Sequence, residues 1–438
     1  MSADPRATLA AGPMGRPQVL IVALCIALNA LDGFDVLAIS FASPGIAADW
    51  GIDRSVLGIV LSMELIGMAL GSVLMGQLAD RIGRRPTILG CLVVMAAGMF
   101  LAAGADDVMS LSAVRLITGL GIGGMIASTS ALVAEFSSDR RRGMCAVLNI
   151  AGYSAGALVG GLIASVLLAK TGSWRSVFVF GGIATALLLP LVYLRLPESI
   201  ESLIARRRSN ALEQVNHTLA RLGLAPVGAL PPPAVRAPKA SFAALFSGGF
   251  APLTVLLTIA YFAQIMSFYY IVKWIPKIVV DLGYEPASAG GVLVCANIGG
   301  LAGAVSLGLL SGRLNLLPTV IGAMLMAFVG ITLFGMGHRD LVQLSLFAAL
   351  AGFFTNAGVV GMYPIFAQVF PAALRAGGTG FAIGVGRGGS ALGPIVAGAL
   401  FAHGSSLLLV SAVMGAGTLV AAAMLVLLPW AQSLRRSS

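Results

Sequence analysis

The segment GQLADRIGRR, Gly76–Arg85, stands between two long apolar runs. An acid flanked by arginines is costly in hydrocarbon, so the segment reads as a tight connection at a membrane surface, joining two spanning helices. Its glycines let the two helix ends approach closely. Asp80 can accept hydrogen bonds from helix N-terminal amides or from arginines. The plainer alternative is a basic turn that only orients the chain.

Around that segment, 58% of the 438 residues are hydrophobic, 10% are charged, and the mean hydropathy is +0.96. Soluble domains carry about 25% charged residues, so the composition is that of a multi-span membrane protein. Stretches of about 20 apolar residues, each able to cross a core of roughly 30 Å, fall at 18–42, 56–78, 87–104, 111–136, 144–168, 177–195, 252–272, 289–310, 318–337, 341–363, 377–401 and 405–430. The expectation is an all-α protein of twelve transmembrane helices in two six-helix, pseudo-symmetric bundles. The stretch before Gln18 is short and polar and holds Pro5, Pro13 and Pro17, so a cleavable leader is not expected and the first helix is retained. With both termini on the inner side, 19 of the 27 Lys and Arg lie in termini and inward loops, against five in outward loops. That asymmetry sets the orientation. It also explains the net charge of +10 without nucleic acid, which is not an expected partner.

One long polar connection, 197–247, with a helical stretch near 211–222 and a proline run from Pro231, divides the chain into 1–196, a linker, and 248–438. GLLSGRLNLLP from Gly308 repeats GQLADRIGRRP from Gly76 in weakened form: Asp80 becomes Gly312 and the paired arginines become Leu316 and Leu317. Two parallel six-span repeats imply an alternating-access carrier with its site between them. Cys25, Cys91, Cys145 and Cys295 lie in apolar runs as small hydrophobes. His217, His338 and His403 sit in loops or at helix ends. No catalytic residue, metal site or cofactor is expected, and no enzyme reading has residue support.

Charges kept inside spans are functional candidates, because each costs about 2.5–3.5 kcal/mol at the centre of the bilayer. Asp32 and Asp35 share a face of span one and raise each other's proton affinity, as a reversible proton site needs; Asp35 is alternatively a helix-end cap near the outer leaflet. Glu64 in span two either handles a proton or is locked to an arginine. Arg115 in span four either pairs with a span-one carboxylate or snorkels outward. Glu135, near the inner end of the same span, is expected to pair with Arg81, Arg84 or Arg140 to Arg142. Arg387 falls about 15 Å into span eleven, where its two-pronged guanidinium suits a substrate carboxylate; a fixed ion pair with Asp32, Asp35 or Glu64 is the alternative. Spans three, six, nine and twelve have no interior charge. Span seven holds Tyr261, Phe262, Gln264, Phe268, Tyr269, Tyr270 and Trp274. Its rings could stack on a ring substrate, or Tyr270, Lys273 and Trp274 could form an interfacial belt. Asn149, Tyr153, Asn297 and Asn356 are further polar candidates, each alternatively an interhelical hydrogen bond.

Across nearly the whole chain these residues resemble the major facilitator superfamily and, within it, the aromatic acid:proton symporter family of bacterial inner membranes. The resemblance rests on DGFD at Asp32 to Asp35, GQLADRIGRR, RLITGLGIGG from Arg115 to Gly124, Glu135, LPES at Leu196 to Ser199, and Arg375 with Arg387. Glu64 is an extra carboxyl outside that pattern. The resemblance implies uptake of an aromatic carboxylate, such as a hydroxybenzoate, driven by the proton gradient. In the resembled fold the four charge-free spans are peripheral and face lipid. The expected proton-coupling set is Asp32, Asp35, Glu64 and Arg115. The expected substrate set is Arg387, Tyr153, Gln264, Tyr269, Asn297 and Asn356. Gly76, Asp80, Arg81, Gly83, Arg84, Arg85, Glu135 and Arg375 form the expected cytoplasmic gate. GYSAGALVGG, Gly152–Gly161, fits an antiporter pattern except that Ala157 takes its proline position, which favours symport. The alternatives are a drug-exporting antiporter and a membrane sensor that binds a solute without moving it. The expected partners are the organic anion, protons and membrane lipid, around a working monomer.

Overall fold

The computed structural model describes residues 4–207, 209–231, 242–247, 249–310, 314–337 and 340–437. Arg208, Arg236, Lys239, Gly312, Arg313, His338 and Arg339 lie outside them, as does the centre of the second, weakened loop repeat. All regular structure among the described residues is helical, with no strand.

Among the described residues, twelve helices are long and apolar enough to cross a membrane. They are α2 (Arg16–Trp50), α3 (Arg54–Ile82), α4 (Arg84–Ala103), α5 (Val108–Phe136), α6 (Arg142–Thr171) and α7 (Arg175–Arg195), then α10 (Ala251–Asp281), α11 (Pro286–Leu310), α12 (Leu316–Gly335), α13 (Leu341–Val369), α14 (Ala372–Ala402) and α15 (Leu407–Val426). Short helices complete the chain: α1 (Pro5–Ala11), α8 (Ile200–Arg206) and α9 (Ala211–Arg221), the last where a helical linker stretch is expected, and α16 (Leu428–Ser437). The spans outrun the apolar windows because helical hydrogen bonding continues past the end of hydropathy. α2, for example, reaches Trp50 through Pro44.

The chain forms two compact units. The first comprises residues 1–36, 67–160 and 175–235; the second comprises 37–66, 161–174 and 236–438. α2, α3 and α6 therefore each contribute to both. In the first unit α4 lies between α5 and α7. Its Cys91 and Met95 pack at Gly121 and Gly124, and its Met99 at Gly181. In the second unit α10 packs on α14 and α15, α11 on α13, and α12 on α13 and α15.

Burial only partly follows the division between charged and charge-free spans. α7 and α12 are each 33% buried, as a lipid-facing position requires, but charge-free α4 is 56% buried and α6 only 28%. α4 departs from expectation because both its neighbours present small residues that admit its sulfur-bearing side chains.

Candidate functional site

The DGFD residues occupy the middle of α2, so Asp35 is not a helix-end cap. Asp32 and Asp35 are both fully buried. Gly33 makes their position possible, since a Cβ there would lie 2.0 Å from the Tyr153 carbonyl oxygen; Gly156 of α6 lies as close to Ala30 on the same seam. Neither carboxyl oxygen of Asp32 has a hydrogen-bond partner among the described residues. Arg115 is fully buried too and does not snorkel. Its Nη2 donates to the Asp35 main-chain oxygen at 2.9 Å, Nη1 reaches Met99 Sδ at 3.3 Å, and the guanidinium lies over the Phe178 ring at 5.4 Å. A buried cation thus rests between α2 and α5 on the main chain of the helix that carries both buried acids.

In the second unit, Glu64 and Lys273 form an ion pair of 3.5 Å with no exposed side-chain surface on either partner. The lock on Glu64 is therefore a lysine, where an arginine is expected. Lys273, Tyr270 and Trp274 are all buried, which rules out an interfacial belt. Tyr270 pairs with Ser411 at 2.7 Å and Trp274 Nε1 donates to the Pro394 oxygen at 3.2 Å.

Arg387 of α14 is half-buried. It lies within electrostatic range of Tyr261, as do Tyr269 and Tyr363. The Tyr261 and Tyr363 hydroxyls are 3.3 Å apart, and the Tyr261 ring packs edge-on to Phe366. Of the expected substrate residues, the structure thus gathers Arg387 and Tyr269 around one phenol. The others are more dispersed. Gln264 is buried and donates to the Thr355 oxygen at 2.9 Å, an interhelical tie. Asn297 donates to the Leu293 oxygen of its own helix, and Asn356 lies against Gly300. Tyr153, half-buried, is on α6 in the first unit. Tyr363 escapes sequence reasoning because one tyrosine in an apolar span carries no local signal.

The GQLADRIGRR segment is helix rather than loop. α3 continues to Ile82 and α4 starts at Arg84, leaving only Gly83 between them. Gly83 has φ of +119°, a conformation that side chains resist. Gly76 lies inside α3, and a Cβ placed on it would meet no neighbouring atom within 4 Å, so it provides no close approach here. The start of α4 is capped by Glu198 of the LPES stretch. Its Oε1 accepts from Arg84 N at 2.9 Å and Arg85 N at 3.3 Å, and its Oε2 lies 3.4 Å from Arg206. An acid at a helix N-terminus is favourable, but it comes from 114 residues away, not from Asp80. Asp80 and Arg81 are exposed. Arg85 donates to the Tyr193 oxygen at 2.7 Å. Glu135 accepts from Ser199 Oγ at 2.5 Å and Glu201 N at 3.0 Å; of the arginines expected beside it, Arg84 is within electrostatic range. Arg375 is exposed in the second unit.

The sequence matches the Major Facilitator Superfamily over residues 23–344 and 257–437. The chain belongs to that superfamily. Among its relatives, the 4-hydroxybenzoate transporter PcaK of Pseudomonas aeruginosa is 31% identical, over 92% of this chain and 90% of that protein. The gallate transporter of Pseudomonas putida is 29% identical, over 94% and 91%. The fold of this superfamily member is that of the xylose transporter XylE from E. coli, whose matched structure is of a partially occluded inward-open conformation. The TM-score is 0.71 with 18% identity, covering 93% of this chain and 97% of that one. The superfamily member is an integral, multi-pass membrane transporter and not an enzyme.

Proposed function

We propose that the protein imports a small aromatic carboxylate, of the hydroxybenzoate type, together with protons across a bacterial inner membrane. Its termini and linker lie in the cytoplasm, and the halves on either side of 197–247 alternate access. The observation that carries the reading is the Arg387 guanidinium within electrostatic range of the Tyr261 phenol, which itself meets the Tyr363 hydroxyl and lies in range of Tyr269. A guanidinium pairs with a carboxylate through two parallel hydrogen bonds, phenol rings offer stacking faces, and their hydroxyls suit a ring hydroxyl. The relatives named for 4-hydroxybenzoate and gallate support this substrate class.

Asp32 is the proposed proton carrier. A buried carboxyl without hydrogen-bond partners is most stable protonated and must find a cation or water to release its proton. Arg115, one helix away and anchored on the Asp35 main chain, is positioned to receive the negative charge left behind. Each proton carried makes one pH unit worth about 1.36 kcal/mol, a tenfold accumulation. Glu198, Glu135, Gly83 and Arg84 hold the cytoplasmic ends of α3, α4 and α5 in register as a gate on that side.

The test is reconstitution of the pure protein in liposomes. An acid-outside gradient should drive 4-hydroxybenzoate inward against its concentration. Asp32→Asn should keep exchange of labelled for unlabelled substrate while losing acid-driven accumulation, and Arg387→Ala should lose both. Undiminished uphill uptake by Asp32→Asn rejects the proton assignment. Absence of acid-driven uptake of any aromatic carboxylate by the unaltered protein rejects the function.

A further inference from the structure

Where the first span begins and the sixth ends, the first unit holds a cavity of about 370 Å³. Three arginines line it, each from a different element: Arg16 of α2, Arg195 of α7 and Arg221 of α9. The other lining residues are apolar, among them Leu20, Ile21 and Leu222, and none is acidic. Three cations therefore converge over an apolar floor with no carboxylate beside them.

Capping of α7 occupies these arginines only in part. Arg85 donates to the Tyr193 oxygen at 2.7 Å, and Arg221 Nη2 donates to the Leu194 and Arg195 oxygens at 3.0 and 3.1 Å. A cation at a helix C-terminus is favourable, and Arg221 fills that role with one nitrogen of a five-donor fork. It is held in place by α9, which buries Val215, Thr218 and Leu219 and packs on α8. Two hydrogen bonds between Asn216 and Val227, of 3.0 and 2.8 Å, fold the following chain back on the same helix. Arg16 and Arg195 are exposed, and their side chains make no hydrogen bond or ion pair among the described residues.

The helix faces leading to the cavity point to its occupant. On α2, Arg16, Val19, Leu20 and Ala23 fall at i, i+3, i+4 and i+7 and all are exposed. On α7, Leu187, Leu191, Leu194 and Arg195 share a face in the same way, again all exposed. Each of these two arginines therefore ends an apolar stripe on a membrane-spanning helix. A soluble anion would use the charges alone. A phospholipid uses both parts, with its phosphate among the guanidiniums and its acyl chains against the stripes. Basic pockets between the ends of membrane helices take anionic head groups in this manner.

We propose that Arg16, Arg195 and Arg221 bind the phosphate of one anionic phospholipid, whose acyl chains lie along the exposed faces of α2 and α7. Arginine suits the role because its planar fork meets phosphate oxygens in pairs. A zwitterionic lipid is disfavoured, since its own cation would join three others. The bound lipid ties α9, and with it the linker, to the ends of the first and sixth spans.

The test is native mass spectrometry of the full-length protein in neutral detergent, titrated with phosphatidylglycerol or phosphatidylcholine. The unaltered protein should hold one phosphatidylglycerol at least about tenfold more tightly than phosphatidylcholine, and excess inorganic phosphate should not displace it. Arg16→Gln/Arg195→Gln, which removes no side-chain hydrogen bond or ion pair, should lose that preference. Each single variant should show part of the loss, so a double variant that fails to purify folded leaves the test intact. Arg140→Gln/Arg141→Gln removes the same charge from the exposed turn between α5 and α6, outside the cavity lining, and should bind as the unaltered protein does. Undiminished phosphatidylglycerol binding by Arg16→Gln/Arg195→Gln overturns the proposal, as does equal loss in the control pair, which would mean general surface charge. Equal affinity for phosphatidylcholine would reduce the site to an apolar groove, and displacement by inorganic phosphate would make it a site for a soluble anion; either result also overturns it. No substrate or gradient enters the measurement, so its outcome is independent of the uptake proposed above.

Discussion

Gly156→Ala is the perturbation whose effect follows most directly from geometry. A Cβ at Gly156 would lie 1.7 Å from the Ala30 carbonyl oxygen and 2.3 Å from its carbon. The close carbon-to-oxygen contacts found between packed helices are about 3.3 Å, so α2 and α6 must part by roughly 1.6 Å at this point. The obstructing atoms are backbone, and no rotamer change relieves them. Overpacking of this kind costs about 1–3 kcal/mol. The displaced helix carries Asp32 and Asp35, and a shift of that size would stretch the 2.9 Å bond from Arg115 to the Asp35 oxygen beyond hydrogen-bonding range. Equilibrium unfolding in mixed micelles, followed by circular dichroism, should record the stability loss. Initial uptake rates in proteoliposomes should fall by at least about fivefold, the lower end of the roughly 5–150-fold that 1–3 kcal/mol represents. Gly90→Ala is the control. It lies mid-helix in α4 with nothing within 4 Å of a Cβ, and should stabilise by about 0.5–1 kcal/mol through helix propensity. A Gly156→Ala protein as stable and as fast as the wild type would contradict this account of the seam, as would equal destabilisation by Gly90→Ala.

Tyr363→Phe removes the hydroxyl 3.3 Å from that of Tyr261 and should weaken 4-hydroxybenzoate binding by about 0.5–1.5 kcal/mol; calorimetry should find benzoate, which lacks the ring hydroxyl, less affected. Glu198→Ala uncaps α4 and leaves Arg206 without its carboxylate, with an expected loss of about 1–2 kcal/mol. Hydrogen exchange should then speed up in the first turn of α4 and not in α5. Asp107 caps α5, and its bonds to the Ser110 amide and hydroxyl hold its carboxyl below the usual carboxylate range. A lowered folded pKa contributes stability above the unfolded value of about 3.9 and loses it as pH falls through the folded value. The stability difference between wild type and Asp107→Ala should therefore be constant near neutrality and shrink below about pH 4.

Hydropathy and charge, read along the chain, were enough for the twelve spans, the class of protein and the short set of interior charges. Transfer from water to hydrocarbon is close to additive along the chain, so a window of about 20 residues already contains that answer. Even there, hydropathy misjudged the helix ends. GQLADRIGRR is polar enough to suggest a loop, yet only Gly83 leaves the helix, because backbone hydrogen bonds persist wherever nothing interrupts them. The partners of the interior charges emerged only on folding. Glu198 caps α4 from 114 residues away, Lys273 meets Glu64 across 209, and Tyr363 joins Tyr261 across 102. No local pattern encodes such pairings. They depend on which faces of which helices come together, and that is set by backbone-to-backbone contacts such as Gly33 on Tyr153 and Gly58 on Pro394. A charge in a membrane span announces that it has a purpose, because its burial is costly; packing alone assigns its counter-ion, and with it the purpose.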